Sequence, residues 1–224
     1  MSRQIVTTAD GSHTVHLHGS NVMYHSHHGA IQESLHVFIS AGLHHIAMSD
    51  NSHPIRIFEM GFGTGLNVLL TYIEAVKASQ PIHYTAVEND PLSPQEYEAL
   101  NYEQFLSCTP GILREIHAAP WNLAHKLSDF FTLRKLQINL QDFSADDPFH
   151  LIYYDAFAPA AQPELWTEQV FGQLFHMLLP GAALVTYCSK SDVQRAMKSA
   201  GFKVQKLTGP KGKREMIRGI RSVD

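Results

Sequence analysis

The sequence predicts one α/β domain, a mostly parallel sheet covered by helices on both faces. Three observations carry that expectation. From Ile55 onward, short apolar runs of strand length alternate with segments of helical apolar spacing. A glycine-rich turn, Gly61 to Gly65, joins the first of these strands to the first helix. Finally, 224 residues with 44% hydrophobic and 17% charged side chains suffice for one α/β core and lie outside the disordered range.

Taken in order, 14–46 carries two apolar patches, at 22–24 and 35–39, and reads as a small lid or hairpin. The expected organisation is an N-terminal extension or lid over 1–50, then the main domain over 51–224. Ile55–Glu59 is a short buried strand. Leu66–Lys77 is a helix with Leu66, Leu69, Leu70, Ile73 and Val76 on one face. Tyr84–Glu88 is the second strand and Pro94–Phe105 the second helix. Leu133–Leu140 alternates as a strand, and Leu151–Tyr154 is a continuous apolar one. Gln169–Leu179 is helical, and the Pro180-Gly181 turn leads into a strand at Ala183–Tyr187. Val193–Ala200 is a last helix, stopped by Gly201, before Lys203–Leu207 opens a final hairpin. Ligands of such sheets bind beyond the carboxyl ends of the strands.

Composition narrows the class of protein. No basic cluster with an apolar run behind it opens the chain, and no apolar run approaches the roughly 20 residues of a membrane span. Cys108 and Cys188 stand too far apart for a metal or redox motif. A cytoplasmic protein without a membrane segment is expected. The 15 histidines cluster at His16/His18, His25/His27/His28 and His44/His45 without a metal-binding pattern, so no metal is expected. The net charge of −4 does not announce a nucleic-acid binder, yet ten of the 17 lysines and arginines fall between Lys190 and Arg221. That cluster is either a solvated face or one wall of a phosphate-binding cleft.

Glu59-Met60-Gly61-Phe62-Gly63-Thr64-Gly65 lies between a strand and a helix, where Gly61, Gly63 and Gly65 allow a ligand close to the backbone. Dinucleotide-binding proteins and methyltransferases share such loops, and charge separates them. Glu59 just before the loop suits an ammonium or sulfonium cation, not a phosphate. Glu88 ends the next strand, where a carboxylate can accept both hydroxyls of a ribose.

The chain resembles the methyltransferase half of the bifunctional MnmC tRNA-modifying enzymes and their free-standing single-domain relatives. Four segments carry the resemblance: 28–34 with Val37-Phe38; 59–67; Asp155-Ala156-Phe157-Ala158-Pro159 with 163–167; and 209–216. It implies the class I, Rossmann-like S-adenosylmethionine-dependent methyltransferase fold, a seven-stranded sheet whose last strand is antiparallel. The implied activity is methylation of 5-aminomethyl-2-thiouridine at the wobble position of tRNA to its methylaminomethyl form. The flavin-dependent oxidase of the bifunctional enzymes has no counterpart on this chain, which implies a separate enzyme supplying the aminomethyl group. Asn139 stands where the family usually has an Asp, with Asp142 as an alternative adenine partner. Ala161 replaces a frequent Lys.

The chemistry of the residues agrees with this resemblance. The acceptor amine is mostly protonated at neutral pH, and Asp155, at the end of the fourth strand, is placed to orient it and take its proton. Pro159 stiffens the loop. Phe157 and Trp166 can stack on a splayed base, although Trp166 reads equally well as a core residue. Lys211, Lys213 and Arg214 flank Gly212 at a turn that is either a phosphate contact or an ordinary hairpin tip. Tyr24 and Glu33 are candidates for the methionine end of the cofactor, with helix capping the other role open to Glu33. A small-molecule amine is the alternative substrate, kept open by the acidic body of the chain.

Overall fold

The structure is a computed structural model that describes residues 2–20, 22–46 and 53–223. A hairpin of β1 (Arg3–Thr7) and β2 (His13–Leu17) leads to α1 (Ala30–Ser34), which continues through π-helical turns at Leu35–Leu43 into α2 (His44–Ile46). The main sheet contains β3 (Ile55–Met60), β4 (Ile82–Val87), β5 (Ala124–Ser128), β6 (Phe131–Leu136), β7 (Phe149–Tyr154), β8 (Leu178–Thr186), β9 (Lys203–Thr208) and β10 (Glu215–Ile220). Between them run α3 (Leu66–Ala78), α4 (Pro94–Glu98), α5 (Ile112–Ala118), α6 (Glu168–Met177) and α7 (Ser191–Ser199).

The strand order is β5-β6-β4-β3-β7-β8-β10-β9. β6, β4, β3, β7 and β8 pair in parallel, and β10 is antiparallel to both of its neighbours. The seven expected strands are present, and β5 adds an eighth, antiparallel to β6 at the edge. Its sequence, AHKLS, has no apolar run because an edge strand there buries little.

Side-chain alternation along the strands divides the core in two. On one face Ile57, Tyr84, Leu133, Leu151 and Tyr153 pack with Phe38, Leu69 and Ile116 from the helices α1–α2, α3 and α5. On the other, Phe58, Ile152, Tyr154 and Leu184 pack with Phe171 and Leu174 of α6 and Met197 of α7. The N-terminal segment therefore contributes Val37, Phe38 and Leu43 to the same apolar cluster as the sheet. The expected boundary between 50 and 51 falls in 47–52, outside the described residues.

The expected helix over Pro94–Phe105 is shorter. α4 ends at Glu98, and a separate 3-10 turn follows at Tyr102–Gln104. Asn101 explains the break: its amide accepts from the His13 N–H (2.8 Å) and donates to the Gly11 carbonyl (3.0 Å), docking the β1–β2 hairpin. An apolar pattern cannot reveal a contact made 90 residues away. β3 sits where the strand order reverses, between β4 and β7, so the carboxyl ends of these three strands open a crevice.

Candidate active site

A cavity of about 380 Å³ occupies that crevice, lined by Tyr24, Gly61, Gly63, Glu88, Asn139, Asp155 and Phe157 among others. This volume lies in the range of small-molecule sites. Its lining includes Glu88, Asp90, Asp155 and Glu164, and among the described residues no lysine or arginine. Such a surface repels phosphate and favours a cation.

Two glycines shape the floor. Gly61 has φ +91°, and a Cβ there would lie 2.9 Å from the Asp155 carbonyl oxygen, so the loops after β3 and β7 touch backbone to backbone. A Cβ on Gly63 would press on the Tyr24 ring at 3.2 Å, and its N–H donates to Glu88 Oε2 at 3.1 Å. Gly65 is the residue from which α3 starts. The other Glu88 oxygen accepts from the Asp90 N–H at 2.9 Å. Each carboxylate oxygen then keeps one acceptor site for a ligand hydroxyl.

Of the two adenine candidates, Asn139 lines the cavity and Asp142 does not. Asp142 Oδ2 accepts from Asn139 Nδ2 at 3.2 Å, while Asn139 Oδ1 accepts from Asn89 at 3.0 Å. Asp142 thus orients the Asn139 amide from behind.

Asp155 follows β7 and is only partly exposed. Its Oδ2 accepts from Asn67 Nδ2 at 3.0 Å, and the same nitrogen donates to Glu59 Oε1 at 2.9 Å. Burial, reinforced by the negative charge of Glu33, pushes the Asp155 carboxyl up to about 7, against lowering by Asn67 and Lys213. Glu59 departs from the sequence expectation. It is 1% exposed and does not line the cavity, because it shares the strand face of Ile57, against α3. Burial holds its carboxyl well above the usual range, which disfavours the charged form. It supports Asn67 instead. Asn67 was not singled out as a site residue, though one signal existed: a polar residue in the otherwise apolar start of α3, Leu66 to Leu70.

The remaining candidates separate into inward and outward groups. Glu33, 7% exposed, accepts from the Ser26 N–H (2.7 Å) and pairs with Lys213 Nζ (2.7 Å). Neither residue lines the cavity. The Lys213 ammonium also stands 3.9 Å from the centre of the Tyr187 ring. Tyr187, also overlooked in the sequence, donates its hydroxyl to the Ala156 carbonyl at 2.9 Å. Lys213 is therefore turned inward, while Lys211 and Arg214 on either side are exposed. Phe157 lines the cavity and meets Tyr24 edge to face, with ring centres 5.0 Å apart. Trp166 does not offer a stacking surface. It is buried, packs on Tyr154, Phe171 and Tyr187, and donates its indole N–H to the Phe157 carbonyl at 2.8 Å. Pro159 is partly buried in the same loop. No group of three or more His, Cys, Asp or Glu among the described residues can hold a metal ion.

The fold and this crevice are those of the class I S-adenosyl-L-methionine-dependent methyltransferases. The site fits that cofactor: an acidic, phosphate-repelling cavity suits the sulfonium, Glu88 suits the ribose, and the buried Asn67 Oδ1 lacks a hydrogen-bond partner among the described residues. A sequence family described as S-adenosyl-L-methionine-dependent methyltransferase matches residues 125–222. The chain is similar to the MnmC proteins. The tRNA 5-methylaminomethyl-2-thiouridine biosynthesis bifunctional protein MnmC of Aromatoleum aromaticum is 31% identical over 214 residues, 88% of this chain. The chain spans 32% of the length of that protein. The crystal structure of MNMC2 from Aquifex aeolicus is 25% identical and superposes with a TM-score of 0.75, covering 97% of this chain and 70% of that one. Spermidine synthase from Thermotoga maritima shares the fold, at 13% identity and a TM-score of 0.56 over 99% of this chain and 69% of that one.

Proposed function

We propose that this protein methylates the primary amine of 5-aminomethyl-2-thiouridine at the wobble position of tRNA, giving the 5-methylaminomethyl form. The observation that carries this reading is Asp155: a carboxylate in the cavity, held by Asn67 and poised to gain or lose a proton near neutral pH. S-adenosyl-L-methionine supplies an electrophilic methyl group on its sulfonium. Gly61, Gly63, Glu88 and Asn139 bind the nucleoside part of that cofactor, with Tyr24 over the loop. Asp155 would accept a proton from the acceptor ammonium and orient the freed amine, whose lone pair would form the new N–C bond as the methyl–sulfur bond breaks and leaves its electron pair on sulfur. Phe157, at the cavity rim beside Pro159, offers a ring to the uracil base, and Lys211 and Arg214 meet phosphates.

From the N-terminal segment, which also packs into the core of the domain, Tyr24 closes over the glycine loop. Among the described residues no helix is long and apolar enough to cross a membrane.

The test is methyl transfer from labelled S-adenosyl-L-methionine to tRNA from cells lacking this modification, with nucleoside mass spectrometry of the product. The expected product is the methylaminomethyl nucleoside. Labelling of small amines with no transfer to tRNA would replace this reading with that of a small-molecule methyltransferase.

A further inference from the structure

The turn between β9 and β10 approaches the site from the far end of the chain. Its tip packs on the N-terminal segment, where a Cβ on Gly212 would collide with the His28 ring. His36 Nε2 reaches the Thr208 carbonyl at 2.8 Å. This docking carries Lys213 to Glu33, an ion pair spanning 180 residues that buries its carboxylate partner. Burying a carboxylate costs several kcal/mol unless it is paired and hydrogen-bonded, as Glu33 is by Lys213 and the Ser26 N–H. The Lys213 ammonium also lies over Tyr187, whose hydroxyl holds the carbonyl of the residue after Asp155. A hairpin tip that only met solvent or phosphate would need none of these contacts.

We propose that Lys213 and Glu33 are positioning residues that set the charge of Asp155 in opposite senses and so decide the pH at which the site accepts an amine. This deepens the methyltransferase reading given above and rests on it for the role of Asp155. The groups facing Asp155 are few. Asn67 donates to it from α3, with Glu59 and Tyr84 behind. Glu33 bears on it from α1 and Lys213 from the β9–β10 turn, while the Tyr187 phenol lies beyond β8. Glu88, from the end of β4, acts on Glu59 rather than directly. Glu33 favours the protonated acid and Lys213 the carboxylate. Without Lys213, a neutral Asp155 would neither take a proton from an ammonium nor hold it. Without Glu33, the unpaired cation of Lys213 would face an ionised Asp155 and compete for it with the acceptor ammonium.

The experiment is a carbon NMR titration of the aspartate carboxyls in the protein without cofactor or RNA, with the Asp155 signal identified by its loss in Asp155→Asn. Lys213→Met, which keeps the stem over Tyr187, should move the Asp155 midpoint up by roughly one on the pH scale. Glu33→Gln should move it down, and Lys213→Arg should leave it near wild type. The acid limb of single-turnover methyl transfer should follow the same order. Shifts of one sign in both variants, or unmoved midpoints, would overturn the proposal. If circular dichroism shows Lys213→Met unfolded, Glu33→Gln decides alone: a downward move supports the proposal and an unmoved midpoint ends it. Failure of the wild type to methylate tRNA would sink the proposed function, while the carboxyl titration would still decide this inference.

Discussion

One amide nitrogen of Asn67 joins Asp155 to a second, wholly buried acid: it lies 3.0 Å from Asp155 Oδ2 and 2.9 Å from Glu59 Oε1. Two strands and a helix converge on that contact, since Asn67 opens α3, Glu59 lies on β3 and Asp155 follows β7. Asn67→Ala should therefore cost about 1–3 kcal/mol of stability, the price of leaving buried polar groups unpaired. Because Asn67 lowers the Asp155 pKa, the acid limb of the methyl-transfer rate should also move to higher pH. Denaturant midpoints and a pH–rate profile measure the two effects, and an unchanged midpoint would deny the bridge any structural role.

Asp155→Asn should remove nearly all methyl transfer while leaving affinity for S-adenosyl-L-methionine within a few-fold. The amide keeps the shape and can still pair with Asn67 but takes no proton, so the loss belongs to the chemical step. Single-turnover rates near wild type at neutral pH would exclude Asp155 as the proton acceptor.

The same carboxyl links folding to pH. Its pKa rises from an ordinary 3.8 in the unfolded chain to about 7 in the folded one, so the folded state binds the extra proton between those values. The stability from that proton is fully present below about 4 and is lost as pH rises through about 7. Wild type minus Asp155→Asn stability should therefore fall steadily from pH 4.5 to 8 (illustrative limits inside that window). A flat difference in guanidinium unfolding would show that Asp155 has its ordinary pKa.

Glu88→Ala should weaken binding of S-adenosyl-L-methionine by about 1–3 kcal/mol, the usual loss for charge-assisted hydrogen bonds. It also frees the Gly63 N–H from its 3.1 Å bond, so part of the loss would come from a looser loop. Calorimetry reads the affinity directly, and an unchanged constant removes Glu88 from the cofactor site.

Charge reversal at Lys211 and Arg214, both exposed, should raise the apparent KM for tRNA and flatten its dependence on salt. Affinity for S-adenosyl-L-methionine should not change. Parallel salt slopes in variant and wild type would mark the turn as a solvated tip and favour a small-molecule acceptor.

The sequence alone determined the strand–helix alternation from Ile55, the glycine loop at 61–65, and the strand-end positions of Glu88 and Asp155. These are local properties, written in periodicity and in turn residues a few positions apart. The resemblance to MnmC proteins added the order of the motifs along the chain. Only the tertiary structure decided the rest. It turned Glu59 into the core behind Asn67, buried Trp166 under the loop it holds, and separated Lys213 from Lys211 and Arg214. The physical reason is the same in each case. Burial and pairing depend on partners such as Glu33, 180 residues from Lys213, and no local pattern encodes which of three neighbouring cations meets a buried carboxylate.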